Sequence, residues 1–234
     1  MSRPEDIATA ARNNATWCDT VCATHGSPGV FSPGAWTTPR RSPPLYPDAV
    51  TLDPTVTGEE VLERIDADAG CSVKDSFATL DLAPRGFRVL FEAQWIYLRA
   101  RSLPAAANRA RWRTVRGEQE LDEWAAAWAA PGAVSPFRSE LLSDPDVAIV
   151  AGRGASSVVA GAVLNRAAGA VGLTNLFSTT GDLDGALNAA VTTANELFPT
   201  VAIVGYESGD DLDVACRNGF VTLGPLRVWM KAAS

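Results

Sequence analysis

The chain has 234 residues, 47% of them hydrophobic and 20% charged, a composition that supports a folded protein with a real core and excludes an intrinsically disordered one. Acidic side chains outnumber basic ones 27 to 20, and the resulting charge of −7 repels a phosphate backbone, so nucleic acid is not an expected partner. No apolar run approaches the ~20 residues that span a bilayer, and residues 1–19 lack the apolar stretch of a signal peptide, so the expectation is a cytoplasmic protein with no membrane partner.

A helix is expected over roughly residues 4–24, followed to Pro47 by a Gly-, Pro- and Ser-rich stretch whose turns are fixed by Pro and Gly. Trp17, Phe31, Trp36 and Tyr46 in this region predict that it packs over another surface. Val50-Thr51-Leu52 reads as a strand. Thr57, three residues ahead of Glu60 and just before Val61, Leu62 and Ile65, forms the pattern of a capping box, so a short helix follows. Residues 72–80 and 86–98, separated by Pro84-Arg85-Gly86, are expected to form an antiparallel strand pair. Residues 99–113 read as a connector between an irregular amino-terminal lobe, 1–110, and a second lobe, 111–234.

The second lobe begins with a short strand at residues 112–115. Leu121, Trp124 and Trp128 then fall on one face of a helix that Pro131-Gly132 ends, and that spacing makes the tryptophans core residues rather than a ligand platform. Strands at 147–151 and 157–164 flank Gly152-Arg153-Gly154 as a hairpin, and a third strand spans about 170–177. An apolar stripe from Leu183 to Leu197 predicts a long helix ending at Phe198-Pro199. Val201 to Gly205 is apolar throughout, as in a strand covered on both faces. A brief helix at 210–217 and a strand at 221–230 complete the order.

Four cysteines are too few for a disulfide framework, so Cys18, Cys22, Cys71 and Cys216 are expected as free thiols. Cys18 and Cys22 lie one helical turn apart and His25 three residues on. That spacing is open to zinc, to a Cys-His nucleophile, or to cysteines simply lining a helix interface, which is the more usual arrangement; no metal is expected. Ser72 to Ser76 has no Lys three residues after a Ser and so is not a serine-lysine hydrolase motif.

The ending is distinctive: a buried strand, the polar stretch Glu207-Ser208-Gly209-Asp210-Asp211, a short helix, then Asn218-Gly219-Phe220-Val221 leading a strand. With the element order from about Arg111 to Lys231, it resembles the GNAT acyltransferase superfamily over the carboxyl-terminal half. The resemblance implies an α/β (α+β) fold with a mixed, mostly antiparallel central sheet and flanking helices. The amino-terminal half is open to being a degenerate copy of the same unit. It also implies a sheet that splays between the strand ending near Phe177 and the one ending near Tyr206. An acyl-CoA co-substrate would insert its arm there and place its pyrophosphate on the loop that starts a helix, with Phe177, Ser178, Thr179, Thr180, Gly181 and Ser208 as binding residues. The implied activity is acyl transfer to a small amine, with Tyr206 and Glu207 as catalytic candidates. A homodimer is an open expectation, and a non-catalytic GNAT-like ligand-binding or regulatory protein is the alternative.

The residues also depart from that pattern. The loop has no Arg, and Asp182 and Asp184 are placed to cap the helix and oppose a phosphate. Ala215 stands where the family often supplies a Tyr acid. Glu207 reads either as a general base for the amine or as a cap on the following helix. Asp210, Asp211 and Asp213 read as an acidic lip or, more simply, a solvated helix start.

Overall fold

The computed structural model describes residues 3–68, 70–100, 112–129 and 133–232. In chain order the elements are α1 (Arg3–Thr24), β1 (Val30–Phe31), β2 (Ala35–Thr37), β3 (Ala49–Thr51), α2 (Gly58–Leu62), β4 (Ser72–Asp75) and β5 (Arg88–Leu98). They continue with β6 (Trp112–Thr114), α3 (Glu118–Trp128), β7 (Val147–Arg153), β8 (Val158–Ala167), β9 (Ala170–Ser178), α4 (Leu183–Leu197), β10 (Ala202–Glu207), α5 (Gly209–Arg217) and β11 (Val221–Met230). Short 3-10 turns occupy Ala83–Arg85 and Ser139–Ser143. No described helix is long and apolar enough to cross a membrane.

The chain divides into two compact units, Met1–Trp95 with Leu223–Ser234, and Ile96–Thr222. The division expected at 110/111, most of the expected connector and the helix stop at Pro131-Gly132 lie outside the described residues.

In the first unit the strands are ordered β1-β2-β3-β4-β11-β5. The meander β1, β2, β3 is antiparallel, β4 runs parallel to β3, and β11 runs antiparallel to β4, with Arg227 opposite Asp75. The expected pairing of residues 72–80 with 86–98 is therefore corrected, because β11 lies between them. The cause is local. After Asp75 the chain makes no tight hairpin turn: Asp75 accepts the Leu80 N–H (2.8 Å) and a 3-10 turn with Pro84 ends at Gly86 in the left-handed region, so the return to β5 is wide enough for another strand. The capping box forms as expected, with Glu60 N–H donating to Thr57 Oγ1 and Thr57 N–H to Glu60 Oε2. The core joins Ala49, Val61, Val73, Leu82, Phe87 and Trp229, and a second cluster seats Ala15, Cys18 and Cys22 of α1 on Trp36 and Val50. The aromatic-bearing irregular stretch is thus packed, and Trp36 Nε1 donates to Asp19.

The second unit has the strand order β10-β9-β8-β7-β6. The hairpin β7–β8 and the pair β8–β9 are antiparallel, and β10 is parallel to β9. The stripe of α4 puts Leu187, Ala190, Val191 and Ala194 into one core with Leu164, Val171, Leu173, Ile203 and Phe220. Trp124 is fully buried, donates its indole N–H to the Val150 carbonyl (3.0 Å), and packs edge-on to Phe177. Gly161 makes this possible, because a Cβ there would fall 2.2 Å from the Trp124 nitrogen. Each unit thus runs meander, helix, parallel strand. Antiparallel and parallel ladders together make the mixed, mostly antiparallel sheet with flanking helices that the sequence implied.

Candidate active site at the parting of two strands

The site lies within the second unit, at the carboxyl ends of β9 and β10. The parallel ladder pairs Ala202 with Ala170, Ile203 with Val171 and Val204 with Gly172, and among the described residues it stops there. Both strands run on, β9 to Ser178 and β10 to Glu207. Two local features accompany the parting. Gly205 sits against the Leu173 carbonyl, where a Cβ would lie 2.8 Å from the oxygen. Two residues later Asn175 adopts φ 54°, and β9 carries one residue more than β8 between the pairs Gly161–Phe177 and Val163–Thr174. That is a β-bulge, a device that redirects a strand, and Asn is a residue that tolerates the left-handed region. Asn175 Oδ1 is buried with no hydrogen-bond partner among the described residues, an acceptor held ready for a donor.

Tyr206 and Glu207 end β10, both half-buried. Burial pushes the Glu207 carboxyl up to about 7, and the charge of Asp211 adds to the rise. Ser208 occupies the N-cap position of α5 with an extended backbone, yet its side chain accepts no helix N–H, and no such bond to Glu207 is present among the described residues. The capping alternative for Glu207 therefore lacks its hydrogen bond. Ala215 is buried in α5, and Cys216 beside it is exposed.

Phe177, Ser178, Thr179, Thr180 and Gly181 lead from β9 into α4. Phe177 faces Trp124, and the Thr179 N–H and hydroxyl both reach the Val159 carbonyl (2.8 and 3.2 Å). Ser178 and Thr180 share a hydroxyl bond (3.0 Å). Asp182 caps α4: its Oδ1 accepts the Gly185 N–H (2.8 Å) and its carbonyl the Ala186 N–H (3.2 Å), while Leu183 N–H goes to Gly181. Asp184 ties the start of α4 to the end of α5 through Arg217 (3.1 Å) and Asn218 (2.8 Å), and these bonds hold its carboxyl below the usual range. Beyond the end of the ladder the buried Asn175 Oδ1, with no hydrogen-bond partner among the described residues, is an acceptor suited to an amide N–H of a slender thiol-bearing arm. The helix start is a poor fit for a diphosphate, because the Leu183, Gly185 and Ala186 N–H groups are engaged by the chain itself and the capping Asp182 carboxylate repels a second anion.

A comparison with family models finds no match, and neither does one with curated proteins. Solved structures do match. A GCN5-related N-acetyltransferase from Kribbella flavida superposes with TM-score 0.65 at 16% identity, over 96% of each chain. The chain has the GNAT fold. A structure assigned to the GNAT family, from Novosphingobium aromaticivorans, gives TM-score 0.52 at 13% identity over 93% of this chain and 96% of that one. A Drosophila protein gives 0.54 at 14% over 94% and 88%. The likeness is one of fold and runs through almost the whole chain, so it is not confined to the carboxyl-terminal half.

Cys18 and Cys22 are buried, and burial pushes their thiols up to about 11 and about 12, far from the nucleophilic thiolate. Among the described residues no group of three or more His, Cys, Asp or Glu gathers as a metal site requires. Sequence reasoning missed Asn175. An Asn inside an otherwise apolar strand was the available signal.

Proposed function

We propose that this protein transfers an acyl group from an acyl thioester, acyl-CoA being the natural form, to a small primary amine. The observation that carries the reading is the half-buried Glu207, its carboxyl held up to about 7, at the mouth of a gap between two strands that part beyond Val204 and Gly172. An amine reaches the protein protonated, and a carboxylate with this affinity can take the proton near neutral pH, directly or through a water. The amine nitrogen then attacks the thioester carbonyl, the new C–N bond forms, the C–S bond breaks and the thiolate leaves, while the nitrogen gives its second proton to solvent water. Tyr206 borders the same mouth. Residues 174–176 and 206–207, which follow the close approach of Gly205 to the Leu173 carbonyl, would line the gap and orient the donor arm as substrate, which is where most of the rate gain of a ternary-complex mechanism arises. Ala215 offers no proton to the leaving thiolate, so that proton comes from solvent.

The test is thiol release from acetyl-CoA with a panel of small amines, run beside a Glu207→Gln variant. Release that depends on the amine and falls at least about tenfold in the variant supports the reading. A second reading, favoured by the absent acid at Ala215 and the self-capped α4, is a binding protein that uses the gap without transfer. Stabilisation by acetyl-CoA with no thiol release under any amine selects it.

A further inference from the structure

Away from this site the second unit has a cavity of about 650 Å³ at the edge strand β6, whose lining includes Arg113, Arg116, Glu120 and Arg153. Three arginines line it with one lining carboxylate, Glu120, and a second, Glu123, pairs with Arg153, which leaves a net positive lining in a chain whose acidic residues outnumber its basic ones 27 to 20. Composition alone would put the opposite charge there. Arg153 gives one bond to Glu123 (2.8 Å), leaving the rest of its fork available. The side chains of Arg113 and Arg116 are exposed and have no ion pair among the described residues; Glu120 accepts only the backbone N–H of Arg116. Gathering like charges in one concavity is costly unless an anion joins them.

We infer that this cavity is a binding site for a small-molecule polyanion, held by Arg113, Arg116 and Arg153. A guanidinium fork binds phosphate or carboxylate oxygens through two parallel bonds, and three forks suit a ligand with at least two negative charges. The volume accommodates a small metabolite. A macromolecular polyanion is disfavoured because the net charge of −7 repels an extended phosphate chain beyond this one concavity. The site is independent of the transfer reading, since neither Glu207 nor the gap between β9 and β10 takes part in it.

The experiment is a calorimetric titration of the full chain at low ionic strength with sodium pyrophosphate and, separately, citrate, against chloride of matched ionic strength. Saturable heat with either polyanion and none with chloride is expected. Heat with pyrophosphate alone assigns a phosphorylated ligand, and heat with citrate alone a polycarboxylate. Arg113→Gln and Arg116→Gln should each weaken binding by about tenfold, while Arg88→Gln, which removes an exposed charge elsewhere, should leave it unchanged. As a check that needs no variant, pyrophosphate should protect Arg113 and Arg116 from phenylglyoxal in the wild-type protein. No saturable heat with either anion, or heat undiminished in the Arg113→Gln/Arg116→Gln double variant, overturns the inference.

Discussion

Gly205 on β10 faces the main-chain carbonyl of Leu173 on β9 so closely that a methyl group there would sit 2.8 Å from the oxygen. The carbonyl belongs to the backbone and cannot swing aside as a flexible side chain would. Gly205→Ala should therefore push the two strands apart or strain them, at a cost of about 1–3 kcal/mol. Urea unfolding measures this. A variant as stable as wild type would mean that the strands slide freely at this point.

Glu207 links activity and stability to pH with opposite signs. If it serves as the proposed base it must be ionised, so the rate should climb as pH rises through about 7, and this limb should vanish in Glu207→Gln. For stability, a carboxyl whose folded pKa is raised binds its proton more tightly when folded, so its contribution is greatest at low pH and is lost as pH rises from the ordinary 4.5 to about 7. At pH 8 the Gln variant should be the more stable protein by about 1–2 kcal/mol, allowing for the partial exposure of the site. Thermal melts at pH 5 and pH 8 read the crossover.

The self-capped start of α4 bears on which part of the donor is recognised. With the Gly185 N–H engaged by Asp182, the diphosphate of the proposed acyl-CoA donor would gain little from that amide, and binding would rest on the arm in the strand gap. Acetyl-pantetheine should then approach acetyl-CoA in kcat/KM to within about tenfold, a difference worth ~1.4 kcal/mol. A loss of several orders of magnitude on truncation would place the diphosphate on a donor set elsewhere.

Trp124 supplies both bulk and a hydrogen bond to the core of the second unit. Trp124→Phe removes the donor to the buried Val150 carbonyl and some of the surface packed on Phe177 and Phe137, and should destabilise by about 1–3 kcal/mol. Denaturant midpoints at unchanged m-value check it.

Thiol labelling separates the cysteines. Cys216 is exposed, whereas Cys18, Cys22 and Cys71 are buried with thiols pushed upward by burial. Iodoacetamide at pH 8 should add one label to the native protein and four after unfolding, as mass spectrometry would read. Rapid native labelling of Cys18 or Cys22 would reopen the Cys-His alternative.

Most of the second unit was legible because its elements are long enough for a period to appear: the stripe of α4, the apolar run of β10 and the hairpin around Gly152 each have a direct physical signature. The first unit hid its plan. Strands of two to four residues and a five-residue α2 are too short to set a pattern. The bonds that follow the β3–β4 ladder, Ser76 N–H on Thr51 Oγ1 and Trp95 Nε1 on the Ser76 carbonyl, likewise join residues far apart in the chain. The same holds for the neighbour of β4, which local alternation assigned to β5. At the site, Glu207 and the departure of the α4 loop from an anion cradle could be read from residue types. The bulge at Asn175 could not, because a left-handed residue inside a strand is fixed by its partners across the sheet.

The placement of β11 bears on how the molecule is made. Ribosomes deliver β3 and β4 early, but the strand that lies antiparallel to β4 emerges only after the whole of residues 96–222 has been synthesised. Until then the edge of β4 is a row of unmatched amides, a template for the wrong neighbour and a natural client for chaperones. Maturation of the first unit is thereby postponed to the close of translation, and nascent chains stalled before residue 223 should be captured as aggregation-prone species rather than as a finished amino-terminal half.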